Sequence, residues 1–153
     1  MNLAKMYSQL SKWPFGKIIF SWITSRKAPY FSTIRPFIKE LTQTKCIVQF
    51  KKRRSVLNHI GTMHAIAMCN ACELAFGLTM EAGLSKSLRW IPKGMTVRYL
   101  KKGETNLEAI CDFPNVVSLI TGDHIVPVKV FDQNNQVVME AVITVYVSEK
   151  PKI

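Results

Sequence analysis

Apolar positions in the first 23 residues recur at helical spacing. Leu3, Met6, Tyr7, Leu10 and Trp13 follow the i, i+3, i+4, i+7 pattern of one helix face. Pro14 suits the first turn of a second helix, where its missing N–H costs nothing. Phe15, Ile18, Ile19, Trp22 and Ile23 then repeat the stripe, and Lys5, Lys12, Lys17, Arg26 and Lys27 occupy other positions. Ala28-Pro29-Tyr30 and Arg35-Pro36 break the pattern, so residues 28–43 are expected to hold turns and short helix. Docking of the stripe onto the rest of the protein is the simpler expectation, since one apolar surface satisfies it. A peripheral membrane contact through residues 1–27 is the sharper one.

The period changes near residue 44. Residues 46–50 read as a strand, and residues 55–62 are polar, contain Gly61 and read as a loop. His64 to Ala82 is apolar nearly all round with no internal Pro, which predicts a buried helix. Gly83 is placed to cap its end. Strand patterns follow at 88–99 (interrupted near Pro92-Lys93-Gly94), 105–111 and 124–131, with a hairpin turn at Gln133-Asn134-Asn135. In the last strand Val137, Met139, Ala141, Ile143, Val145 and Val147 share one face. One apolar helix has to be covered, and a curved antiparallel sheet wrapped around it does so economically. The expected class is α+β, in the shape called a hotdog. A helical extension is expected over 1–43 and the hotdog domain over 44–150.

A chain of 153 residues with 48% hydrophobic positions fits one domain with a real core and excludes a mainly disordered protein. Lys and Arg number 21 against 10 Asp and Glu, a net charge of +11 that favours an anionic partner. Cys46, Cys69, Cys72 and Cys111 do not form a secreted disulfide framework, and a reducing cytoplasmic setting is expected. No metal site is expected: Cys69 and Cys72 form a single pair with no second knuckle, and Cys46 and Cys111 are solitary. The apolar run at 13–23 lacks a cleavage pattern and is too short to span a bilayer, which takes about 20 residues. No helix pair of DNA-binding type is encoded, so no specific nucleic acid is expected.

The informative stretch is Asn58-His59-Ile60-Gly61-Thr62-Met63-His64-Ala65, continuing to Glu73. It resembles the hotdog-fold acyl-CoA thioesterases of the phenylacetate-pathway type. Their pattern is an Asn, a His-Gly pair six residues later, and an acid nine residues beyond that His. Asn58, His64 and Glu73 match both spacings. Residues 27–30 (Lys-Ala-Pro-Tyr), 89–97 (Arg-Trp-Ile-Pro-Lys-Gly-Met-Thr-Val) and 99–102 (Tyr-Leu-Lys-Lys) are similar to a hotdog subgroup known only as a domain of unknown function. Two departures stand out. Ala65 replaces the Gly, keeping the N–H but adding a methyl, and Glu73 stands where Asp is common.

The resemblance implies an acyl-CoA thioesterase acting without a separate cofactor, coenzyme A being part of the substrate. The Ala65 N–H at a helix N-terminus would stabilise the oxyanion. Asn58 would orient thioester or water, and His64 would hold the turn and the carbonyl. Glu73 would serve as general base, or as nucleophile through an anhydride. At 100° and 1.5 Å per residue, nine steps put His64 and Glu73 on opposite sides of one helix, about 13 Å apart along its axis. The site must then be shared, which agrees with hotdog homodimers; a dimer of dimers, a homotetramer, is a further expectation. Arg53, Arg54, Arg98, Lys101 and Lys102 are candidates for the coenzyme A phosphates. Two alternatives remain. His59 and Glu73, fourteen residues apart, match the spacing of hotdog (3R)-hydroxyacyl-thioester dehydratases. The chain could also be a non-catalytic acyl-CoA or membrane-binding module.

Overall fold

The computed structural model describes residues 3–151. Two short helices open it, α1 (Leu3–Leu10) and α2 (Gly16–Lys27), followed by a 3-10 turn at Pro29–Ile34. Strands β1 (Phe37–Leu41) and β2 (Lys45–Phe50) lead through a second 3-10 turn, Arg54–Val56, to the long helix α3 (Ala65–Gly83). Strands β3 (Leu88–Tyr99), β4 (Leu107–Asp112), β5 (Gly122–Phe131) and β6 (Val137–Glu149) complete the chain. The six strands make one antiparallel sheet in the order β1-β2-β4-β5-β6-β3. This is the hotdog architecture that the single apolar helix calls for.

Twelve of the 19 residues of α3 are buried. Met68, Phe76 and Met80 meet the inner faces of the strands, where Val48, Ala109, Val128 and Met139 are closed from solvent. Along β6, Met139, Ala141, Ile143, Val145 and Val147 form the buried set, as their alternation predicts. Cys46, Cys72 and Cys111 are free thiols inside this core, and burial pushes the Cys111 thiol up to about 11.

Three local expectations are corrected. Residues 37–41 are a strand and not a turn: Phe37, Ile38 and Leu41 pair with β2 and bury Ile38 and Leu41. The sheet thus begins at Phe37, inside the span read as helical extension. Pro14 does not open α2, which starts at Gly16 after Phe15 turns left-handed at φ 63°. Gly83 is not a left-handed cap but the last helical residue. A Cβ there would stand 2.2 Å from the Gln43 carbonyl oxygen and 2.5 Å from Val116 Cγ1. The glycine is needed for close approach. The interruption expected at Pro92-Lys93-Gly94 is present, as a shift of register against β6 within one continuous strand.

The helical hairpin is tied to the β1 edge by side-chain hydrogen bonds. The Ser21 hydroxyl accepts the Ile38 N–H at 2.8 Å. The Tyr7 hydroxyl donates to the Ile38 and Lys39 carbonyls at 3.1 and 2.7 Å, and Lys17 Nζ donates to the Lys39 carbonyl at 2.9 Å. One sheet edge is therefore covered, while the opposite edge, β3, has no further strand beside it among the described residues.

The α1 stripe docks as expected, with Tyr7 buried and Leu3, Met6 and Leu10 against the core, but α2 does not pack as its stripe suggests. Phe20, Ser21 and Ser25 face the protein, with Phe20 edge-on to Tyr7 at 5.0 Å. Of the expected stripe, Phe15, Ile18, Ile19 and Trp22 point to solvent, while Ile23 turns to the other side and lines a cavity against α3. Ser21 and Ser25 send their hydroxyls to carbonyls one turn back, at Lys17 and Ser21, which lets polar residues serve as the packing side.

Gly83→Ala is expected to destabilise the fold by about 2 kcal/mol through overpacking against Gln43 and Val116. Urea unfolding followed by circular dichroism measures this; an unchanged midpoint contradicts the close approach.

Candidate active site

The loop before α3 is closed on itself. Leu57 bridges to Met63, the Asn58 N–H donates to the Thr62 carbonyl at 2.9 Å, and Gly61 supplies a φ of 78°. The Asn58 side chain shapes this turn. Its Oδ1 accepts the N–H groups of Ile60 and Thr62, both at 3.1 Å, and its Nδ2 donates to Thr62 Oγ1 at 2.8 Å. One Nδ2 hydrogen has no further partner among the described residues. His59 lies exposed in the same turn.

His64 is the N-cap of α3. Its N–H donates to the Val56 carbonyl at 2.8 Å, and its Nδ1 accepts the Ile66 N–H at 3.1 Å. A cap of this kind satisfies one of the open donors of the first turn. The acceptor role of Nδ1 puts the ring proton on Nε2, at an exposed position. The Ala65 N–H has no acceptor among the described residues. The start of α3 therefore presents a free N–H together with the positive end of a helix of 19 residues.

Glu73 lies further along the same helix. The stripe of α3 left open to solvent or half-open runs through Ile66, Cys69, Glu73, Gly77 and Glu81. Glu73 is exposed and makes no hydrogen bond or ion pair among the described residues. It stands at the wall of a cavity of about 470 Å³ between α3, the hairpin and β3. Leu3, Met6, Ile23, Phe31, Leu74 and Trp90 give that cavity its apolar lining. Trp90 is fixed by donating its indole N–H to Glu81 Oε1 at 2.9 Å and by an edge-on contact with Phe76 at 5.1 Å. Glu81 and the hairpin's share of this wall escape sequence reasoning, because only folding brings residues 3–31 beside residues 73–92.

The basic candidates divide into two groups. Backbone hydrogen bonds bring two basic segments to the start of α3: Val56 O, after Arg54, accepts from His64, and Gly103 O, after Lys102, accepts the Met63 N–H at 2.8 Å. Arg54 and Lys102 are exposed there without side-chain partners among the described residues; Lys101 donates to Gln136 Oε1. Arg53 turns away and donates to the Thr33 carbonyl, and Arg98 lies 3.7 Å from Glu140. No three His, Cys, Asp or Glu side chains converge to hold a metal among the described residues. Among the described residues no helix is long and apolar enough to cross a membrane.

A family model described as a domain of unknown function, DUF4442, matches residues 16–147. Curated proteins give no match. A structural-genomics crystal structure of no stated function is 40% identical, covering 97% of this chain and 99% of its own, with a TM-score of 0.86. A probable thioesterase from Pseudomonas aeruginosa, described as of unknown function, is 16% identical over 84% of this chain and 92% of its own, with a TM-score of 0.75. A thioesterase from Haemophilus influenzae is 12% identical over 78% and 82%, with a TM-score of 0.69. The last two share the fold.

Asn58→Ala is expected to lower stability by about 1–3 kcal/mol, by leaving the Ile60 and Thr62 N–H groups without their acceptor. Urea unfolding reads the loss, and amide exchange localises it: faster exchange at those two residues, with α3 unchanged, is the expected pattern.

Proposed function

The chain belongs to the DUF4442 family, and from that premise we propose that it hydrolyses acyl-CoA thioesters at a site shared between two copies of itself. One observation carries the reading. A single buried helix offers an open Ala65 N–H at its start and an unpaired Glu73 beside an apolar cavity. The shared fold with proteins described as thioesterases supports it. So does the spacing of Asn58, His64 and Glu73.

The two groups lie too far apart on one helix to act on one carbonyl. A second copy removes the difficulty, and the uncovered β3 edge is the surface where it would add. Trp90 and Pro92 of that strand line the cavity beside Glu73, so a copy pairing there would approach the acid. The thioester carbonyl sits at the start of α3, its oxygen taking the Ala65 N–H as negative charge develops. Glu73 of the partner subunit draws a proton from water as the oxygen bonds to the carbonyl carbon. The C–S bond then breaks, and the thiolate leaves with the proton returned from Glu73. The free acid departs from the apolar cavity, whose volume falls in the usual range for small-molecule sites. Arg54, Lys101 and Lys102 hold the phosphates of coenzyme A.

The test is a hydrolysis screen over short, medium and long acyl-CoA substrates, read with a thiol reagent. Glu73→Gln is expected to lower kcat about 10²–10⁴-fold with coenzyme A binding retained. Ala65→Pro removes the N–H at a position that tolerates proline and is expected to lower kcat about 10²–10³-fold. Mixing the two inactive variants as equal, exchanging subunits is expected to restore about a quarter of wild-type activity, since one site in each mixed dimer is intact. No recovery on mixing contradicts the shared site, and no turnover of any acyl-CoA contradicts the enzyme.

A further inference from the structure

The outward face of the hairpin is independent of the catalytic reading. Trp13, Phe15 and Trp22 are 73%, 75% and 58% exposed, and Ile18 and Ile19 lie beside them. Large apolar side chains concentrated in this way at a protein surface mark a contact surface. Phe15 is held outward by its left-handed backbone. The turn is tight because Gly16 comes so close to the Leu10 carbonyl that any Cβ would collide with it. Three adjoining hollows share Ile18 and Phe37. The largest, about 400 Å³, is walled by Arg35, Lys51 and Arg53.

Charge selects the occupant. The first 39 residues contain seven Lys and Arg and no Asp or Glu. Arg26 stacks on the exposed Trp22 ring at 4.6 Å, keeping a cation at the apolar rim. Arg53, which lines the hollow, has its Nε buried with no partner among the described residues. Burial, and secondarily the charge of Arg35, lower the Arg53 pKa from its ordinary value. Glu108 is occupied by Lys39 at 2.7 Å and by Gln49 at 3.1 Å. A second copy on this face would set positive charge against positive charge. Aliphatic Ile18 and Ile19 suit hydrocarbon better than stacked bases. We infer that this face docks the protein on an anionic phospholipid bilayer. The exposed aromatic and isoleucine side chains enter the interfacial layer, and a lipid phosphate is taken by Arg35, Lys51 and Arg53. An apolar face combined with basic residues is the combination that gives peripheral membrane binding.

The experiment is co-sedimentation of the full chain with vesicles of phosphatidylcholine alone or with about 30 mol% phosphatidylglycerol. Binding to the anionic vesicles is expected to be at least about tenfold tighter, and to weaken with added salt. Ile18→Ser with Trp22→Ser is expected to weaken it at least about tenfold. Arg35→Asn with Lys51→Gln is expected to remove most of the preference for anionic lipid. Ile120→Ser, an exposed apolar residue outside the hairpin, is the control and leaves binding unchanged. All these positions are exposed, and circular dichroism checks that each variant folds. Equal binding to both vesicle types, or binding indifferent to the paired substitutions, overturns the inference. So does a fall in oligomer size caused by the Ile18 and Trp22 substitutions without vesicle binding, which identifies a second copy as the occupant. Binding of single-stranded RNA in place of vesicles overturns it as well.

Discussion

The burial of α3 is the interaction on which the rest depends. A helix apolar on most of its circumference has to be enclosed, and one antiparallel sheet with a hairpin at its edge encloses it. Enclosure leaves only the stripe from Ile66 through Glu73 to Glu81 open. A carboxylate can sit on such a helix without ion pairing only along that stripe, because an isolated charge elsewhere would be desolvated. The same constraint shapes the cavity, since the stripe is its floor and the hairpin its lid.

The two ends of the proposed chemistry follow from the same helix. Its start is held open by two backbone hydrogen bonds, from His64 to Val56 and from Met63 to Gly103, and by the folded loop that Asn58 organises. Its middle carries Glu73. A rigid rod keeps these two groups apart, so the distance that prevents catalysis within one protomer is the physical reason to invoke a pair. Covering one sheet edge with the hairpin and leaving the other without a strand among the described residues favours the β3 edge for the proposed pair.

The hairpin has two working sides. Ile23, Thr24 and Lys27 of α2 wall the Glu73 cavity, while Ile18 and Trp22 face outward. A bilayer beneath the outward side would bring the apolar cavity beside Glu73 close to a source of acyl chains. That arrangement joins the two readings without either depending on the other.

Much of this was legible in residue order. Periodicity alone located α3 and the strands after it, since local side-chain alternation is set by the pleat and the helical turn. The spacing of Asn58, His64 and Glu73 points to the start of α3 and to that acid, whereas the open stripe on which Glu73 stands is set by the packing. Pattern also grouped Ile18, Ile19 and Trp22 on one face, which follows from the helix itself, but it added Ile23, which lines the cavity on the other side. Which way the face points did not follow, since the choice rests on contacts with distant Tyr7, Ile38 and Lys39. Gly83 looked like a cap for the same reason: Gln43 and Val116, which require its missing Cβ, are remote in the chain. Local geometry is written in neighbouring residues. The partners a surface meets, the cavity beside Glu73 and the basic hollow at Arg35, Lys51 and Arg53 arise only when distant segments are brought together by the burial of one helix.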